Sequence, residues 1–65
     1  MIDTTKLKAI RIKRSMGQEE LARIAEVGLH TYNRIETGFT KNPSIDNVAK
    51  IAKALQVKVD DLLIS

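Results

Sequence analysis

Twenty-one residues, Gln18 to Gly38 (QEELARIAEVGLHTYNRIETG), leave a chain of this size few ways to fold. Read at about 100° per residue, they split into two short amphipathic pieces. Leu21, Ala22 and Ala25 share one face of the first, and Tyr32 and Ile35 share one face of the second. The Val27-Gly28 pair between them is too short for anything but a tight corner. Gly28 is placed to cap the second helix, where glycine gives up only a few tenths of a kcal/mol against serine. Gly38 closes it, because the residue just past a helix end often takes the left-handed conformation. The expectation is two helices crossing steeply over a turn of about three or four residues, with Ala22 small enough to allow close approach.

With Tyr32 and Ile35 pointing inward, the side chains that face away are His30, Asn33, Arg34 and Thr37. They form one stripe at i, i+3, i+4 and i+7, all able to hydrogen-bond and none acidic. Every surface helix has a solvated face, so the stripe alone decides nothing. Context gives it a use: two helices in this arrangement project the second one outward, where it can enter a DNA major groove.

Gln18-Glu19-Glu20-Leu21-Ala22, then Val27, then Tyr32-Asn33-Arg34-Ile35-Glu36 and Gly38 form a pattern that resembles the Cro/C1-type (XRE) helix-turn-helix family of phage and bacterial regulators. The match continues outside the motif: Leu7, Ile10 and Arg11 before it; Asn42-Pro43-Ser44, Ala52, Ala54-Leu55 and Asp60-Asp61-Leu62-Leu63 after it. It covers nearly the whole chain. The family usually has Gly where this chain has Glu26, Ser or Thr where it has Gly17 and Gly28, and Gly where it has Gln56. Those departures weaken turn and cap chemistry and leave the DNA-facing positions untouched. The resemblance implies an all-α, compact, five-helix, lambda-repressor-like domain over residues 1–65, with the motif at about 18–37.

Length and composition bound the alternatives. Sixty-five residues make one domain. A chain this short buries only about 60% of the surface its unfolded form exposes, so association with a second copy is plausible. No cysteine is present, and a single histidine without a second ligand cluster argues against a metal site. The longest apolar run, Leu62-Leu63-Ile64, is far short of the roughly 20 residues a membrane span needs. The N-terminus has no apolar stretch of the secretory kind, and the expected location is the cytoplasm. Net charge is +3. Residues 1–41 hold eight Lys or Arg against five Asp or Glu, and residues 42–65 hold three of each, so the positive excess lies with the motif. That suggests an anionic partner and no more.

In chain order, Asp3, Thr4 and Thr5 offer cap oxygens to a first helix from about Thr5 to Arg14. Arg11 lies on the same face as Leu7, and a cation on a core face needs a partner. Glu36 is the partner that the resemblance implies, as a buried ion pair; the alternative is that Arg11 runs its aliphatic stem out to solvent. Met16 turns inward at the first corner, Gly17 is the cap, and Glu20 supplies half a capping box. Gln18 has two readings: an ordinary first-turn residue, or, as the family implies, an amide that clamps a DNA phosphate. If the backbone is left-handed at Glu26, a side chain there costs roughly 1–2 kcal/mol; otherwise the corner departs from the family's geometry. Ile24 lies off the best inward direction. Phe39 is a loop anchor or an exposed contact, and Pro43 prevents helix 3 from continuing. Ser44 caps a fourth helix whose inward stripe is Val48, Ile51, Ala52 and Leu55. A short fifth helix is expected from about Val59 to Leu63, with Asp60 and Asp61 at its favourable end.

Nothing in the chain reads as an enzyme. There is no glycine-rich phosphate loop, metal-ligand spacing or nucleophile elbow. Glu19-Glu20 and Asp60-Asp61 are adjacent pairs that diverge on a helix and cannot flank one substrate atom. No cofactor is expected. The reading is a duplex-DNA-binding regulator acting as a dimeric repressor on a near-palindromic operator. Leu29, His30, Asn33 and Arg34 would read bases, and Gln18, Thr37 and Lys41 would grip phosphates. Val57, Val59, Leu62, Leu63 and Ile64 supply apolar surface for a second copy, with Ile64 the best candidate. Two other readings stand beside this one: an antitoxin-type autorepressor that also binds a partner protein, and an interaction module that has lost DNA binding.

Overall fold

The computed structural model describes residues 1–64; Ser65, the last residue of the expected domain, lies outside them. Four α-helices follow one another, α1 (Thr4–Lys13), α2 (Gln18–Ala25), α3 (Leu29–Glu36) and α4 (Ile45–Leu55), and a 3-10 turn covers Val59–Leu62. Caps set the starts. The Asp3 carboxylate accepts from the Lys6 amide at 3.0 Å and the Ser44 hydroxyl from the Asn47 amide at 3.1 Å. Gly17 and Gly28 precede α2 and α3 and supply no side-chain bond.

Three helices stop in the same way. Beyond α1, α2 and α4 stand Ser15, Glu26 and Gln56, with φ of 57°, 58° and 59°. After each, the next amide reaches back five residues: Met16 to the Arg11 carbonyl at 3.2 Å, Val27 to Ala22 at 2.9 Å and Val57 to Ala52 at 3.0 Å. This is the Schellman closure, which needs a left-handed residue and favours glycine. The corner at Glu26 is therefore left-handed despite its side chain. Only α3 is followed by a glycine in that region, Gly38 with φ of 84°.

The fifth helix expected from about Val59 to Leu63 is one 3-10 turn, closed by the Asp61 amide on the Lys58 carbonyl and the Leu63 amide on Asp60. So short a segment gains more from these tighter bonds than from an α-turn. Its last residue has another partner. Leu63 leaves extended and pairs antiparallel with Ile2, with Asp3 donating to the Leu62 carbonyl at 2.9 Å and Ile64 to the Met1 carbonyl at 3.0 Å.

The core is built from the inward stripes. Leu7, Leu21, Tyr32, Ile35, Ile51, Leu55 and Leu62 are fully buried, and Ala22, Ala25 and Ala52 let α2 lie close to α3 and α4. α3 packs against α1 and α2 on its inner side. Ile24 remains 46% exposed. One expected surface residue is corrected: Leu62 is 0% exposed and belongs to the core, because the 3-10 turn lays it against α1 and α4. Val57, Val59 and Leu63 are half-buried against the same core, and only Ile64 stays largely open. Among the described residues, no helix is long and apolar enough to cross a membrane.

Candidate nucleic-acid interface

The inner face of α3 is fixed by apolar and polar contacts together. Tyr32 and Ile35 enter the core. One turn after Tyr32, Glu36 is also buried and gathers four donor bonds. Arg11 Nε donates to its Oε1 at 2.7 Å and Arg11 Nη2 to its Oε2 at 3.3 Å. The Tyr32 hydroxyl donates to Oε1 at 2.7 Å, and Gln18 Nε2 donates to Oε2. Arg11 spends a further donor on the Met16 carbonyl at 2.7 Å, which ties the first corner to the same cluster.

The charges in this cluster sustain one another. Burial pushes the Glu36 carboxyl up, but the bonds from Arg11, Tyr32 and Gln18, with the charge of Arg11, outweigh it and hold the group below its ordinary value. The bond to Glu36 raises the Arg11 guanidinium against the opposing effect of burial. Burial, joined by the bond to Glu36, pushes the Tyr32 phenol well above its ordinary value, so it remains a donor. Among the described residues, no buried side-chain nitrogen or oxygen in the fold lacks a partner.

The opposite face of α3 is open. His30, Asn33, Arg34 and Thr37 are all exposed, and Leu29 at the helix start is 44% exposed. No carboxylate stands among them, since the one acidic residue of α3, Glu36, points inward. Asn33 Nδ2 donates to Gln18 Oε1 at 3.0 Å. That bond leaves Asn33 its Oδ1 and one Nδ2 proton, the donor and acceptor that an adenine edge requires. Gln18, half-buried, keeps one Nε2 proton beyond the bond to Glu36, enough for a phosphate oxygen. The Thr37 hydroxyl makes a long bond of 3.4 Å to the Arg34 carbonyl. Lys41 is exposed in the loop after α3 and lines a shallow cavity with Met1, Ile2, Pro43 and Ile45.

Structure therefore brings Gln18 and Asn33 into one bonded unit, places Leu29, His30 and Arg34 on the same open face with Thr37 at its C-terminal end, and leaves Lys41 in the following loop beside Met1 and Ile2. Sequence reasoning missed the bonds that join Gln18 to Glu36 and Asn33, and two further contacts. The Tyr32–Glu36 bond had a signal, since the two residues are spaced i, i+4. The placement of Phe39 against Arg34, with Cζ 5.4 Å from the ring centroid, depends on a loop path that no periodicity announces.

The helix-turn-helix family matches residues 7–62 of this chain. The chain belongs to that family. It is a helix-turn-helix domain of the Cro/C1 type, and α2 and α3 are the two helices of its motif. The control protein C.BamHI of Bacillus amyloliquefaciens is 51% identical over 61 residues, 89% of this chain and 72% of the relative. The cryptic phage CTXphi transcriptional repressor RstR of Vibrio cholerae is 35% identical over 60 residues, 92% of this chain and 53% of that protein, so the chain spans about half the length of that repressor. Among solved structures, the N-terminal DNA binding domain of SinR from Bacillus subtilis superposes with a TM-score of 0.89 at 31% identity, over 95% of this chain and 90% of that one. As a helix-turn-helix domain, the chain presents α3 as the second, outward helix, on which the exposed stripe lies.

Proposed function

We propose that this chain binds a near-palindromic duplex operator as a symmetric dimer and represses transcription by occupying it, acting in the cytoplasm. The observation that carries the reading is the polarity of α3: one face locked by a buried ion pair, the other exposed, carboxylate-free and rich in donors. In this arrangement α3 enters the major groove. His30 and Arg34 donate to guanine N7 or O6, Asn33 pairs an adenine edge, and Leu29 packs on a thymine methyl. Gln18, Thr37, Lys41 and the start of α2 hold phosphates and set register.

Dimer formation is supported by an apolar surface beside the loop that carries Lys41. Met1, Ile45 and Ile64 are 72%, 67% and 57% exposed. Ile64 bonds to Met1 through the backbone, and Met1 and Ile45 line one cavity with Lys41. A protomer 25 Å in its longest dimension fits a pair whose reading helices lie about 34 Å apart, on half-sites roughly 10 bp apart.

Selection from a random DNA pool, followed by titration of Arg34→Ala and Lys41→Ala on the selected site and a scrambled duplex over a range of salt, tests the docking. Arg34→Ala weakens the selected site preferentially, by about 1–3 kcal/mol. Lys41→Ala weakens both duplexes alike and lowers the salt slope by about 1. Equal loss on both duplexes from Arg34→Ala overturns the base-reading role.

A further inference from the structure

Phe39 is an anomaly in so small a domain. The residue is 74% exposed and takes no part in the core, yet its place is well fixed. Gly38 reverses the chain with φ of 84°. The Gly38 amide donates to the Ile35 carbonyl at 3.2 Å, and the Thr40 amide donates to the Arg34 carbonyl at 3.0 Å. Residue 39 is thus bracketed by two backbone bonds that fold it against the side chain of residue 34. The Arg34 guanidinium lies over its ring, 5.4 Å from the centroid, within the range of a cation–π attraction.

The nature of that partner matters. The ion pair found among the described residues is Arg11–Glu36, and Arg34 has no carboxylate to hold it. A carboxylate would orient a guanidinium by consuming its N–H donors. An aromatic face orients it through the ring quadrupole and leaves all five donors free. A free arginine loses much rotational freedom when it docks on a base, whereas one already held in place loses less.

We propose that Phe39 is a positioning residue for base readout, its ring holding the Arg34 guanidinium ready for a guanine edge. The inference rests on the reading that Arg34 contacts a base.

The test uses the full chain, the duplex recovered by selection, and a scrambled duplex of the same composition. The quantity read is discrimination, the ratio of the two dissociation constants, for Phe39→Ala, Phe39→Leu, Phe39→Trp, Arg34→Ala and the Arg34→Ala/Phe39→Ala pair. Phe39→Ala and Phe39→Leu lower discrimination about threefold to tenfold, while Phe39→Trp, which keeps a π face, preserves it. Removing the ring after Arg34→Ala costs no further discrimination, because Phe39 acts through Arg34. Full discrimination in Phe39→Leu overturns the proposal by making apolar bulk sufficient. Equal weakening of both duplexes by Phe39→Ala also overturns it, since the ring would then touch the DNA backbone itself. So do losses that multiply in the pair. Failure of the underlying reading is recognised separately, by Arg34→Ala alone weakening both duplexes alike. Thermal melts of the Phe39 variants that match the parent confirm that the fold is unchanged.

Discussion

Asn33 on α3 donates to Gln18 on α2 at 3.0 Å, across the corner of the motif, and the direction of that bond is dictated from the core. Glu36 is acceptor-only when ionised, so the nitrogen end of Gln18 must face it. The oxygen end then faces Asn33, which must present its own nitrogen. A buried carboxylate thereby fixes the orientation of two amides, the second of which stands on the open face. The ion pair that anchors α3 inside also arranges what α3 offers outside.

The first prediction concerns the strength of that anchor. Arg11 and Glu36 are 8% and 7% exposed, so removing one charge strands the other. Arg11→Met alone is expected to cost about 3 kcal/mol in urea denaturation, and adding Glu36→Leu to recover about half of it. Recovery is incomplete because the Tyr32 hydroxyl then loses its acceptor. Losses that simply add in the double-mutant cycle would mean the two groups are not coupled.

Acid provides an independent measure of the same cluster. Against burial, which raises it, the bonds from Arg11, Tyr32 and Gln18 hold the Glu36 carboxyl below its ordinary value of 4.5. A carboxylate that ionises more readily in the fold contributes stability in full above that ordinary value. The contribution is lost as pH falls through it toward the depressed one. Melting temperature followed from about pH 7 to about pH 2 is expected to drop more steeply below about pH 4.5 in the parent than in Arg11→Met/Glu36→Leu. Identical acid profiles would show that Glu36 is not held low.

The third prediction concerns the left-handed stops. Ser15, Glu26 and Gln56 pay for a conformation that glycine adopts freely. Glycine at each position is expected to raise stability by about 1 kcal/mol, read as a higher denaturation midpoint. Gln56 also accepts a bond from Arg14 Nη1 at 3.1 Å, but that contact is exposed and offsets little. A lowered midpoint in Glu26→Gly would mean that its side chain, rather than its backbone, sets the corner.

How much of this was legible follows the range over which each feature is determined. The four α-helices, their caps at Gly17, Gly28 and Ser44, and the inward stripe of α4 are set within a few residues, and periodicity reads them well. The fate of residues 59–64 is settled elsewhere, by a two-residue pairing of Leu63 with Ile2 from the other end of the chain. So short a bridge has no alternating pattern, and the apolar run that feeds it looked like helix. Leu62 was misplaced for the same reason. At the site, the open stripe was visible as spacing, whereas the bonds joining Gln18 to Glu36 and Asn33 require the packing of α2 on α3 to be known.

The last prediction separates core from surface in that misread segment. Leu62 is fully buried and Ile64 is 57% exposed, two positions apart. Leu62→Ala is expected to cost about 3 kcal/mol of stability, as truncating a packed leucine generally does. Ile64→Glu is expected to leave the isolated fold within about 0.5 kcal/mol of the parent, since surface changes rarely exceed that. Its effect falls on assembly, because a charge on an apolar contact must be desolvated when a second copy docks. Sedimentation equilibrium at high concentration, with and without the selected duplex, is the measurement. A dimer in the parent and a monomer in Ile64→Glu place the twofold contact at the Met1, Ile45 and Ile64 surface. A dimer that survives Ile64→Glu unchanged moves the contact away from that surface. A parent that is monomeric both free and on DNA removes the dimer altogether, and leaves this apolar surface to a partner protein.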